Sequence, residues 1–435
     1  MMTLSAFDVP VAAVRAAARR WEEMSLVRRC TTACLAIMIV GGVVLRIWDI
    51  AYPPGDTFDE AFFDVGAQNY LLGLPDVNDH PPLGKLIEAV GILLFGYNSL
   101  GRRFASLCFG LEIPLVAYWF GESLFSSRRA GAIAAAFFAA DGFFIAYSRA
   151  GLLDGILCCF ILFSVLLAVT ARSSLGVLAS AVAVGLAASI KWSGVMAVLP
   201  AAGAVLLLGR APPLSVLLFA ATPVVHCALW MAALRITHVP SDPGSLFKLM
   251  AQLYRHHLDL GKVDNGLASP WYSWIILYHP IVVKLADYGR GSRYASSGGN
   301  PVLWVPGTLA IIGVPMTSLV VKIREMFGRA RPAFLSAELA RRALVPVIGW
   351  AALLAPWTVA RGKFIFWYHY MPCWAFALIL LAGIVQNLEA RYPKIALGFV
   401  LSALLMAAWF APVWGEWPLS LRAANMRLWF VPWRP

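Results

Sequence analysis

The sequence predicts an all-α polytopic membrane protein with about eleven transmembrane helices, and three observations carry that reading. Of its 435 residues, 60% are hydrophobic and only 13% charged, about half the charged share of a soluble domain, and mean hydropathy is +0.73. Apolar runs close to the roughly 20 residues that a span needs recur along the chain. Basic residues concentrate in alternate connections. A soluble enzyme is excluded.

In order, the apolar runs fall at 31–50, 104–125, 130–147, 152–171, 174–190, 192–209, 213–234, 302–321, 343–360, 366–387 and 395–413. Residues 1–30 form an amphipathic segment with five arginines and no small-residue cleavage pattern, so the first run reads as a retained span behind a cytoplasmic N-terminus. Lys322 to Arg342 carries six basic residues against two acidic ones and falls on the same side, as do Arg128, Arg129, Arg172, Arg210, Arg391 and Lys394. The run from Leu83 to Phe95 is too short to span and contains Lys85 and Glu88; it reads as a helix lying in the interface. This parity places two long loops, 51–103 and 235–301, and a tail at 414–435 on the outer face, around a transmembrane domain at 31–413.

The net charge of +12 fits cytoplasmic loops facing anionic lipid, not nucleic-acid binding. Seven cysteines without a CxxC pair sit in or beside apolar runs and read as small buried hydrophobes. The histidines are scattered. Only His256 and His257 are adjacent, and neighbours on a helix diverge by about 100°, so no metal site and no cofactor is expected.

Chemistry is to be sought in the outer loops. In LRIWDIAYPPGDTFDEAFF, Pro53, Pro54 and Gly55 stop the first helix, so Asp59 and Glu60 emerge at the boundary with Arg46 in reach. After Gly55 come Asp56, Asp59, Glu60, Asp64, Asp76 and Asp79 before the first cation, Lys85. A carboxylate among Phe58, Phe62 and Phe63 is partly desolvated and suited to accept a proton; equally, it can cap the helix that follows. DHPPLGK fixes a turn between Asp79, His80 and Lys85, and YSRAGLLD sets Arg149 and Asp154 at an outer helix junction, where charges are usually anchors. Glu112 and Asp141 lie within apolar runs and must pair or be neutral. The later connections hold YRHHLDLG, SPWYSW, GNPVLW and RGKFIFWYHYMP; their aromatics suit a membrane belt or a sugar surface, and Arg361 and Lys363 could face a phosphate.

Taken in order with IKWSG, these motifs resemble the dolichyl-phosphate-mannose protein O-mannosyltransferase family, of the GT-C membrane glycosyltransferases, over residues 44 to 373. The resemblance implies transfer of a sugar, typically mannose, from a polyprenyl phosphate to an acceptor hydroxyl on the outer face, with inversion. It implies Asp59 as catalytic base, with Glu60 as its acidic neighbour. It also matches Arg46, His80, Arg149 and Asp154 to family positions, and Arg103, with Arg102 adjacent, to an arginine expected near the donor phosphate. The chain departs from the pattern at Asn265, Gly266 and Leu267, where many members read His-Pro-Tyr, and at Val305, which replaces a tryptophan; no loop is long enough for the β-trefoil domain of the longer members. Sister readings are transfer of an aminopentose or other lipid-linked sugar to lipid A or an envelope glycan, against which His80 in place of lysine speaks, and, more remotely, a transporter or flippase.

Overall fold

The computed structural model describes residues 21–76, 80–260, 268–285, 287, 289, 291–326, 337–360 and 365–429. The helices are α1 (Leu26–Ile47), α2 (Glu60–Leu72), α3 (Pro82–Phe95), α4 (Ser99–Phe125), α5 (Arg128–Ala139), α6 (Gly142–Tyr147), α7 (Leu153–Thr170) and α8 (Ser174–Ala188). There follow α9 (Val198–Leu208), α10 (Ala221–Ile236), α11 (Pro243–Leu260), α12 (Trp271–Ile275), α13 (Pro301–Met326), α14 (Ala337–Val359), α15 (Met371–Arg391), α16 (Pro393–Trp414) and α17 (Leu421–Asn425). Short 3-10 turns lead into α9, α10 and α15.

Every apolar run read from the sequence is helical. Among the described residues, eight helical stretches are long and apolar enough to cross a membrane: Leu26–Ile47, Ser99–Phe125, Leu153–Thr170, Pro213–Ile236, Pro301–Leu319, Glu338–Val359, Trp367–Arg391 and Pro393–Trp414. Two more, Ser174–Ala188 and Trp192–Leu208, are shorter, and the run at 130–147 is broken into α5 and α6. The break has a cause: Asp141 caps α6 by accepting from the Phe143 amide at 3.1 Å, and it also accepts from the Asn300 amide at 2.9 Å. Its buried carboxylate therefore ties α6 to the start of α13. Glu112, at the middle of α4, instead lies exposed on the helix surface.

Helices α7 and α15 are mostly apolar and largely buried and form the centre, with α4 and α5 packed beside them. Around this core, α1 docks so tightly on the end of α5 that a Cβ on Gly42 would sit 2.2 Å from the Ala139 carbonyl oxygen. Only glycine permits that approach.

The described part of the connection 235–301 is not wholly helical. Strands β1 (Val282–Leu285) and β2 (Arg293–Ser296) pair antiparallel, with Val283 opposite Ala295. Arg293 anchors this hairpin to the segment after α1, donating to Asp49 at 2.8 Å with its guanidinium 3.9 Å from the Tyr52 ring centre. The helical plan is thus joined by one short hairpin, whose strands VVKL and RYAS are four residues each and too short to show a period in the sequence.

Candidate active site

Asp59 and Glu60 are neighbours with different surroundings. Glu60, at the first turn of α2, is buried and accepts from Arg103 Nε at 2.7 Å and Nη2 at 2.9 Å, from the Thr57 amide at 2.7 Å and from the Gly151 amide at 2.8 Å. Both of its oxygens are engaged. Asp59 occupies the cap position of α2 but makes no capping hydrogen bond, and it is half-buried with no hydrogen-bond donor among the described residues. The capping alternative is therefore set aside. Burial pushes the Asp59 carboxyl up to about 6, with Asp154 adding to the rise and the Lys191 ammonium pulling the other way.

Lys191 is a cation that acts electrostatically on Asp59. It follows α8, and its Nζ donates to Asp154 Oδ1 and Oδ2 at 2.9 and 2.8 Å. The ammonium also lies 4.9 Å from the Tyr368 ring centre and 5.7 Å from that of Phe63. Phe58 and Tyr147 reach Tyr368 at 6.2 and 6.3 Å between ring centres, and Phe63 meets His80 at 5.6 Å. His80 in turn meets His257 of α11 at 6.0 Å. Burial first, then Lys191 and Lys85, hold His80 well below the usual histidine range, so it stands as a neutral imidazole. The result is a half-buried cluster of one unengaged carboxylate, one ion pair, a neutral imidazole and aromatic rings. Adjoining it through Phe58 and Tyr147, Thr57 joins Val283, Leu285 and Ala295 of the hairpin around a cavity of about 60 Å³.

The other sequence-predicted residues go elsewhere. Arg46 is not at the acidic loop: its guanidinium, 1% exposed, donates to the Gly42, Ala139 and Phe138 carbonyls at 3.0, 3.1 and 3.0 Å. It neutralises the carbonyl end of α5, which one helical turn beyond Gly42 brings into reach. Arg103 faces Glu60 and the Ile50 and Gly55 carbonyls at 3.1 and 3.0 Å, so its guanidinium is taken up by the segment between α1 and α2. Arg102 is paired with Asp64 at 3.0 Å and with Asp56. Arg149 donates to the Leu45 and Trp48 carbonyls at 2.6 and 2.7 Å and to Glu416 at 3.1 Å, closing the end of α1. Lys85 is buried against Asp76. Arg361 and Lys363 lie outside the described residues, as does Asp79.

Sequence reasoning missed three members of the cluster. Lys191 stood inside a quoted motif without a role, although a lysine between two apolar runs is itself a signal. His257 and His369 were dismissed with the scattered histidines. Among the described residues no group of three His, Cys, Asp or Glu side chains is arranged to hold a metal ion. Chemically, the cluster offers proton acceptance at Asp59, a fixed positive charge at Lys191, and stacking and hydrogen-bonding surfaces for a neutral polar ring.

Comparison with known proteins agrees with the resemblance read from the motifs. Sequence profiles described as dolichyl-phosphate-mannose-protein mannosyltransferase match residues 36–103 and 79–236, and one described as the C-terminal four-transmembrane region of protein O-mannosyltransferase matches 244–433. The polyprenol-phosphate-mannose–protein mannosyltransferase of Mycolicibacterium smegmatis is 24% identical over 439 residues, covering 82% of each chain. Dolichyl-phosphate-mannose–protein mannosyltransferase 1 of Saccharomyces cerevisiae is 26% identical over 200 residues, 40% of this chain and 24% of that protein. In fold, the chain superposes on the S. cerevisiae protein O-mannosyltransferase Pmt1-Pmt2 complex bound to the sugar donor with a TM-score of 0.77, at 13% identity and 93% coverage of both chains. It superposes on apo ArnT from Cupriavidus metallidurans with a TM-score of 0.56, at 13% identity, covering 92% of this chain and 79% of that one. The profiles together run through nearly the whole membrane domain, and the chain belongs to the protein O-mannosyltransferase family of GT-C membrane glycosyltransferases.

Proposed function

We propose that this protein transfers mannose from a polyprenyl-phosphate mannose to serine and threonine hydroxyls of protein acceptors, with inversion, using Asp59 as the base. The relatives' names supply the donor and acceptor classes. The observation that carries the mechanism is the contrast at 59 and 60: Glu60 is saturated by Arg103 and two amides, while Asp59 is unengaged, desolvated and of raised basicity. In the step, the acceptor O–H proton passes to the Asp59 carboxylate as the acceptor oxygen bonds to the sugar C1. The C1–O bond breaks on the opposite side, and the polyprenyl phosphate leaves with the electron pair. An acceptor hydroxyl is a poor nucleophile, so one base is needed; a phosphate leaves without an acid. Lys191, held by Asp154 beside the aromatic wall, is the group we assign to the charge on that phosphate. His80 belongs to the same cluster, and Arg46, Arg103 and Arg149 hold the scaffold.

The same reading sets the protein in the cytoplasmic membrane of a bacterium with eleven crossings, the N-terminal segment 1–30 inside, and the loops 51–103 and 235–301 with the tail 414–435 outside. Eight long helices, two shorter ones and the broken α5–α6 segment support that count. Purified protein in liposomes, given labelled polyprenyl-phosphate mannose and a serine-containing peptide, tests the function. Labelled glycopeptide is expected. Label that crosses the bilayer without a new glycosidic bond would instead favour a flippase.

A further inference from the structure

Two histidines of the cluster are held in opposite hydrogen-bonding polarity. Helix α11 is amphipathic and packs Leu246, Leu249, Met250 and Leu253 against Trp230, Leu234 and Met231 of α10. His257, one turn after Leu253, emerges on that inner face, 5.6 Å from Trp192 and 6.0 Å from His80 between ring centres. Its Nδ1 lies 2.8 Å from the Leu253 carbonyl oxygen. A carbonyl only accepts, so Nδ1 carries the proton and, in the neutral ring, Nε2 is left as an acceptor. His369 is the reverse. Its Nδ1 accepts from the Phe366 amide at 3.0 Å, which leaves the proton on Nε2 as a donor. Trp357 stacks on this ring at 3.8 Å and sets its plane.

Both imidazoles are half-buried and belong to one ring of contacts. From His257 it runs to His80, to Phe63, to Lys191, to Tyr368 at 4.9 Å and to His369 at 4.6 Å, and His257 is near enough to act electrostatically on His369. Lys191, on this ring, also acts electrostatically on Asp59. Phosphate oxygens only accept and have no use for a lone pair on His257. Sugar hydroxyls both donate and accept, so a pair of nitrogens of opposite polarity matches them.

We propose that His257 Nε2 and His369 Nε2–H form a paired frame for the hydroxyls of the donor's hexose ring, and that this frame sets which sugar is accepted. The inference rests on the transferase reading above but is tested without turnover. The readout is the affinity of the detergent-purified protein for polyprenyl-phosphate mannose divided by that for bare polyprenyl phosphate. Asparagine keeps the atom that mimics Nδ1 and deletes Nε2; glutamine places its amide near Nε2. His257→Asn and His369→Asn are each expected to lower the ratio about tenfold, the worth of one lost hydrogen bond, while His257→Gln and His369→Gln stay within about threefold of wild type. An unchanged ratio in the asparagine variants, an equal weakening of both ligands, or glutamine variants that lose what asparagine variants keep would each overturn the frame, the last because it marks a role in anchoring the backbone. If wild type makes no glycopeptide yet shows the ratio and its loss, the frame stands and the transfer reading fails.

Discussion

Arg103 closes a bidentate pair on Glu60, Nε to Oε1 at 2.7 Å and Nη2 to Oε2 at 2.9 Å, with both side chains 1% exposed. That pair divides the work of two adjacent carboxylates. It fixes the loop between α1 and α2 through the Ile50 and Gly55 carbonyls, and it leaves Asp59, one residue earlier, outside the pair.

Glu60→Gln and Arg103→Ala are therefore expected to act on stability. Each leaves an uncompensated buried charge, a loss of about 3–5 kcal/mol. Thermal unfolding in detergent should show a large drop in Tm for both, and the double variant should fall well short of the sum. A folded Arg103→Ala protein with normal Tm and a selective loss of donor affinity would return Arg103 to the phosphate.

Transfer should fall in acid with a midpoint near the Asp59 value of about 6, about two pH units above that of an ordinary aspartate. The sign follows from the role: the base acts as carboxylate, so activity is full above the midpoint and declines about tenfold per unit below it. Single-turnover rates at saturating donor between pH 4.5 and 8 measure this. A rate flat down to pH 5 would contradict it.

Lys191→Met and Asp154→Asn should move that midpoint in opposite directions. The ammonium favours the Asp59 carboxylate and Asp154 disfavours it, so removing the first raises the midpoint and removing the second lowers it. Lys191→Met should also weaken binding of bare polyprenyl phosphate by about ten- to a hundredfold, the worth of a charge-assisted contact. Unchanged binding would exclude Lys191 from the leaving-group site.

The helical plan was legible because span length and charge parity are properties of single segments. So were the acidic stretch after Gly55 and the basic stretch from Lys322 to Arg342. What stayed hidden depends on which elements meet. Arg46 lies thirteen residues before Asp59 in sequence, yet Gly42 lets α1 close on α5, and the carbonyls at 138 and 139 take its guanidinium. Arg103 matches a motif position, but its partner is Glu60, and adjacency in sequence could not say which member of the acidic pair it would take. Lys191, His257 and His369 come from three distant segments and form one cluster only after α8, α11 and the turn before α15 converge. Two of the histidines gain their meaning from a carbonyl and an amide that no side-chain pattern reports.

The measurement that bears most directly on the central claim is single-turnover transfer by purified Asp59→Asn and Glu60→Gln proteins, with donor affinity and Tm determined on the same samples. Asparagine keeps the size of Asp59 and removes its basicity. The account predicts that Asp59→Asn keeps its Tm, binds donor within a few-fold of wild type and turns over at least about 10²-fold more slowly, while Glu60→Gln loses stability first. Near-wild-type turnover in Asp59→Asn, with a folded but inactive Glu60→Gln, would contradict it.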